Sequence, residues 1–193
     1  MIERTEIILF KRREYSAVAV AAVVLLANIG LYAYVGVAPM LIIGGSLLLA
    51  FFAWLFTTYQ EPANPDRVLP LYLLLIAAEL LHMAEEYVTS FPEEFSALTG
   101  AGMTQDIFVV VFVMGGVILA LLSAIGVMYR NPLANFYLWF VIIGPGFVNG
   151  IAHVLFPIMA GTVYFPGLVT VFLPVVIGIT LALQLYRDSR GSR

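Results

Sequence analysis

Residues 107–128 read IFVVVFVMGGVILALLSAIGVM, twenty-two positions without an Asp, Glu, Lys or Arg. A helix that crosses a bilayer needs roughly 20 predominantly apolar residues. In lipid, only a helix or a closed barrel satisfies every backbone group internally. The run is apolar all round and lacks the period-two alternation of a barrel strand, so it reads as a transmembrane helix. Similar runs lie on either side of it, at about 16–35, 39–58, 68–89, 136–157 and 164–186. The expected architecture is therefore an all-α, six-transmembrane helix bundle, with residues 1–193 forming one domain and no internal repeat.

Composition agrees. The chain is 62% apolar and 11% charged, with a mean hydropathy of +1.01, against about 25% charged residues in an average globular chain. Nine basic and twelve acidic residues, with no basic tract, argue against a nucleic-acid partner. The absence of cysteine removes disulfides, thiolate metal sites and cysteine nucleophiles.

The basic residues orient the bundle. Arg4, Lys11, Arg12 and Arg13 precede the first span, Arg67 lies between the second and third, and Arg130 between the fourth and fifth. Arg187, Arg190 and Arg193 follow the sixth. All fall on one side of a six-span arrangement, which the positive-inside rule makes cytoplasmic, so both termini are expected inside (N-in/C-in). The apolar stretch of the first span exceeds the 7–15 residues of a signal-peptide core, so it is read as an uncleaved helix. Small size and simple organisation fit a prokaryotic plasma membrane. Residues 90–105 read either as a short interfacial helix over the outer mouth or as a solvated loop, with Glu93 and Glu94 at the surface. Trp54 and Trp139 are expected as interfacial anchors near the inside. Ser123 and Thr170 have no arguable catalytic partners.

Five of the six spans contain no charged residue. The third holds Glu79-Leu-Leu-His82-Met-Ala-Glu85-Glu86, and the fifth holds the other histidine in Asn149-Gly-Ile-Ala-His153. Ionisable groups at membrane depth are costly and face the bundle interior, usually for function. At about 100° per residue, with Glu79 as zero, His82 falls near 300°, Glu85 near 240° and Glu86 near 340°. Glu79, His82 and Glu86 thus form a row with Glu85 at its edge, while Asn149 and His153, four apart, share a face. A rise of about 1.5 Å per residue puts the first set roughly 16–27 Å and the second roughly 20–26 Å from the inner ends of their spans. One shared site in the outer half of the membrane is the expectation. Gly146 and Gly150 provide a GxxxG spacing for close helix approach, and Gly144-Pro145-Gly146 is expected to kink or partly unwind the fifth span. Gly44-Gly45, Gly115-Gly116 and Pro174 are assigned to ordinary packing.

At these residues the chain resembles the HXXEE-domain family of small integral membrane proteins, with the signature standing as His82-Met83-Ala84-Glu85-Glu86. That family's upstream Glu, downstream Asn and later His fall on Glu79, Asn149 and His153. The resemblance is clearest over spans three to five. It implies a site, catalytic in character, without naming its reaction.

The residues suit several chemistries. Glu79-x-x-His82 has the carboxylate–imidazole spacing of helical di-iron bundles, but those use a second such pair and two further Glu, which this chain lacks. A single divalent ion held by His82, His153 and one or two of Glu79, Glu85 and Glu86 fits the inventory better. Zinc leads, with iron or manganese as alternatives. Such an ion would activate water for hydrolysis of a lipid or other apolar substrate, with a leftover Glu as general base and Asn149 orienting substrate or stabilising an oxyanion. The same ligands also suit non-haem iron oxygenation, which ranks behind hydrolysis. Metal-free acid–base isomerisation of a lipid-like molecule by Glu79, Glu85, Glu86, His82 and Asn149 is a second reading. Proton- or cation-coupled transport is a third, against which stands the lack of an inverted repeat. The plain alternative is a set of polar residues that hydrogen-bond one another and fix helix register, with Glu85 in water at the rim.

Overall fold

The structure, a computed structural model, describes residues 2–59 and 61–191, with side chains for 16–59 and 61–189. The side chains of Arg4, Lys11, Arg12, Arg13 and Arg190, and all of Arg193, on which the orientation partly rests, lie outside the described residues. Among the described residues there is no strand. The helices are α1 (Ile2–Tyr34), α2 (Val37–Phe56), α3 (Pro65–Val88), α4 (Phe91–Thr99), α5 (Gln105–Met128), α6 (Pro132–Ala160) and α7 (Phe172–Gly191). Five of them are long and apolar enough to cross a membrane: α1 from Ser16 onward, α2, α3, α5 and α6.

Of the helices that start earlier than expected, α3 and α6 do so for the same reason. Asn64 and Asn131 each precede a proline at the first helical position. Their side-chain oxygens accept from the backbone N–H of Asp66 at 3.1 Å and Leu133 at 3.0 Å. An Asn cap with Pro behind it is a strong helix start, so α3 begins at Pro65 and α6 at Pro132. Residues 91–99 take the helical alternative of the two readings, with Phe91, Pro92 and Phe95 buried and Glu93 and Glu94 exposed.

The largest departure is the sixth expected span, 164–186. Helix is present only from Phe172; residues 164–171 form a non-helical loop. Pro166 lacks the N–H a helix needs, and Gly167 adopts a φ of +88°, which only glycine takes without strain. In α6, where Gly144-Pro145-Gly146 was expected to kink or partly unwind the span, a π-helical stretch runs over Ile142–Val148 within a continuous helix. The wider turn accommodates the proline within the span.

Helix α6, the most buried of the five long apolar helices, packs against α2 and α5; α3 packs against α5 and α7, and α7 also packs on the π stretch of α6. That contact uses small residues as the GxxxG spacing implies. A Cβ built on Gly146 would stand 3.7 Å from Gly178 Cα, and one on Gly150 only 2.3 Å from Val175 Cγ2. Gly45 and Gly116 have nothing within 4 Å of such an atom, so the packing role expected for them does not hold. Gly44 is the packed member of its pair, against Asn28. Accordingly, Gly150→Ala is expected to lower the thermal midpoint of the purified protein through a clash of about 1–3 kcal/mol. Gly116→Ala should leave it unchanged or raise it, since alanine is the better helix former.

Trp54 and Trp139 are not interfacial anchors. Both are buried, Trp54 completely. Their indole N–H groups donate to the Pro132 carbonyl at 2.8 Å and to Thr58 Oγ1 at 3.1 Å. A buried indole with its one donor satisfied is a core residue, and these two close the end of the bundle opposite His82.

Candidate metal centre

The centre is built on one face of α3 and one face of α6, under the loop that precedes α7. On α3, Glu79, His82 and Glu86 are buried and Glu85 is partly exposed, following the angular order of the sequence. On α6, the turn from Asn149 to His153 aims an amide and an imidazole at the same place. The two rings stand edge to face with centroids 4.8 Å apart. Glu86 lies between them, its Oε1 3.0 Å from His153 Nε2 and 3.4 Å from His82 Nε2. His82, Glu86 and His153 offer three ligand atoms within 4.8 Å of one another. His82 and His153 are 1% and 0% exposed.

Asn149 Nδ2 donates to His82 Nε2 at 2.9 Å, so the amide stands next to the trio. Glu79 is buried on the same α3 face, and its Oε1 has no hydrogen-bond partner. His153 Nδ1 is likewise buried without one. Buried polar atoms are normally satisfied, and each orphan costs about 1–3 kcal/mol. The His82, Glu86 and His153 group could hold a metal ion. Two imidazoles and a carboxylate, all borderline-to-hard donors, suit zinc, iron or manganese.

Aromatic rings wall the outer side. Phe91 lies 5.3 Å from the His153 ring and Phe156 5.4 Å, with Phe95, Phe108 and Phe165 continuing the cluster. They come from α4, α5, α6 and the loop, which explains why α4 lies where it does: its buried Phe91 and Phe95 roof the centre.

Sequence reasoning missed the loop. Glu85, read as either site or rim, is partly exposed, lies outside the His82, Glu86 and His153 group, and binds the loop. Its Oε1 accepts from Tyr164 OH at 2.9 Å and Val169 N at 3.2 Å. Its Oε2 accepts from Thr170 N at 2.8 Å and Thr170 Oγ1 at 2.5 Å. Thr170 then meets His82, with Oγ1 3.2 Å from Nδ1. Thr170, for which the sequence offered no arguable catalytic partners, is carried by the loop across 88 residues of sequence to the imidazole. Gly167 sits on top. A Cβ there would stand 2.5 Å from His153 Cε1 and 2.8 Å from His82 Cε1.

No curated protein and no solved structure matches the chain. The family described as "Protein of unknown function with HXXEE motif" matches residues 73–182, more than half of the chain and every residue of the centre described above. The chain belongs to the HXXEE family.

Proposed function

We propose that this is an integral membrane protein with six spans and both termini inside, and that His82, His153 and Glu86 hold one divalent metal ion, zinc first, in a hydrolytic site for a lipid or other apolar substrate. The observation that carries the reading is the convergence of two imidazole nitrogens and a carboxylate oxygen, all buried, in a largely apolar chain. Helix α7 serves as the sixth span together with the loop before it. Non-helical backbone is tolerated at membrane depth when its polar groups are satisfied by protein. Here Val169 and Thr170 N–H donate to Glu85, Leu168 N to the Phe165 carbonyl and Val171 N to the Gly167 carbonyl. The exposed faces of α1 and α5, rich in Leu, Ile and Val, then meet lipid.

When bound, the ion lowers the pKa of a coordinated water and polarises a carbonyl. Glu79, buried on the same face of α3 and outside the three-ligand group, would serve as the proton-transferring base of such a hydrolysis. Asn149 would orient the substrate oxygen. Because both imidazoles are buried beneath loop 161–171, a substrate reaches them only when that loop lifts. The aromatic wall selects an apolar chain over a polar one.

Elemental analysis of detergent-purified protein after growth with supplemented metals tests this. About one equivalent of metal is expected for wild type, and none for His82→Ala or His153→Ala. A folded wild type that retains no metal would overturn the metal reading.

A further inference from the structure

The hydrogen bonds around His82 leave little freedom for its ring protons. Four donors converge on Glu85: Tyr164 OH, Val169 N, Thr170 N and Thr170 Oγ1. A carboxylate only accepts, and a threonine hydroxyl has one proton. That proton goes to Glu85 Oε2, so Thr170 Oγ1 faces His82 as an acceptor and Nδ1 carries the ring hydrogen. His82 Nε2 is then a bare lone pair, consistent with its accepting from Asn149 Nδ2. His153 is arranged the other way round. Its Nε2 donates to Glu86 Oε1, and its Nδ1 is the buried atom without a partner.

We infer that Thr170 and Glu85 are positioning residues of the centre: through the chain Glu85–Thr170–His82 they fix His82 in the tautomer whose Nε2 lone pair faces Glu86 and His153, so that docking of loop 161–171 completes the ligand set. Metal-ligating histidines commonly hold the proton of their other nitrogen on a carboxylate or carbonyl, which sets the tautomer and orients the ring. Here a threonine hydroxyl is inserted between imidazole and carboxylate. Glu85 acts twice, holding the loop by its backbone and setting the ring by Thr170. Its place at the edge of the α3 row, turned away from Glu79 and Glu86, is what lets it reach the loop and not the other imidazole. A lifted loop removes the acceptor from Nδ1, so His82 is poised for coordination only when the site is covered. The tautomer itself stands independently of the metal; its consequence for affinity rests on the metal reading above.

The full chain labelled with ¹⁵N-histidine, metal-free in lipid nanodiscs, tests this directly. There are two histidines, and a His153→Gln variant assigns their signals. Protonated and unprotonated ring nitrogens are well separated by chemical shift. Wild type is expected to show His82 protonated on Nδ1 and His153 on Nε2. Thr170→Val, which keeps the shape and removes the hydroxyl, is expected to move His82 toward the Nε2–H form, and Thr170→Ser to restore it. Zinc titration should show affinity about 10–100-fold weaker in Thr170→Val and Glu85→Gln, and near wild type in Thr170→Ser. His82 protonated on Nε2 in wild type, or a tautomer indifferent to Thr170→Val, would overturn the inference. The wild-type spectrum decides even if a variant fails to fold. Should wild type take up no zinc while the tautomer still follows Thr170, the metal reading falls and the positioning role stands.

Discussion

Gly167→Ala is expected to be among the most damaging single-methyl changes in this protein. Two effects add. A side chain at φ +88° costs about 1–2 kcal/mol in backbone strain. The methyl itself would lie 2.5 Å from one imidazole and 2.8 Å from the other, an overlap of the kind that costs about 1–3 kcal/mol when a packed region is overfilled. Relief requires either the loop to rise, breaking its four bonds to Glu85, or the rings to part, spoiling the ligand geometry. The thermal midpoint should fall steeply and zinc retention with it. Gly161→Ala is the control. It has a similar positive φ of +67° but nothing within 4 Å of the added atom, so it should lose only the strain contribution and keep its metal. Equal losses in the two variants would mean that contact with the imidazoles is not what makes Gly167 necessary.

The second large effect is expected at Glu86. Its carboxylate lies against both histidines and is the one negatively charged group of the trio. Glu86→Gln keeps the volume and an acceptor oxygen for the His153 N–H. The fold should therefore survive, with circular dichroism unchanged. Metal affinity should not survive. Removing a supporting partner from outside the ligand set already weakens binding about 10–100-fold, and a neutral amide in place of a charged ligand is expected to exceed the upper end of that range. Competition titration with a zinc-binding dye measures it. Glu79→Gln on the same face should instead retain the metal and lose turnover, since Glu79 is assigned proton transfer and not ligation. Wild-type affinity in Glu86→Gln would remove that residue from the ligand set.

How much of this was legible in the sequence differs by residue. The five long helices were visible because lipid-facing and core-facing positions alike are apolar, which leaves uncharged runs bounded by Asn-Pro, Gly and charged residues. The row of Glu79, His82 and Glu86 followed from helical periodicity, as did the placement of Glu85 at its edge. The match in depth between Asn149, His153 and the glutamates followed from rise per residue alone. Other features depend on contacts between distant parts of the chain. Thr170 and Tyr164 gain their roles only because loop 161–171 folds back onto α3, and no local period encodes that. The loop itself was marked by Pro166-Gly167, a strong turn dipeptide within an otherwise apolar run whose hydropathy outweighed it. Trp54 and Trp139 follow the same lesson. The general preference of indoles for membrane interfaces pointed outward, while acceptors for their N–H groups, the Pro132 carbonyl and Thr58 Oγ1, were available inside.

The most direct test of the central claim, that His82, His153 and Glu86 share one ion, is the X-ray absorption spectrum of the zinc-loaded protein at the zinc edge. Nitrogen and oxygen neighbours at about 2.0–2.2 Å are expected, with outer scattering from two imidazole rings that falls to one ring in His82→Gln or His153→Gln. A spectrum with no imidazole scattering, or one unchanged by both substitutions, would contradict it.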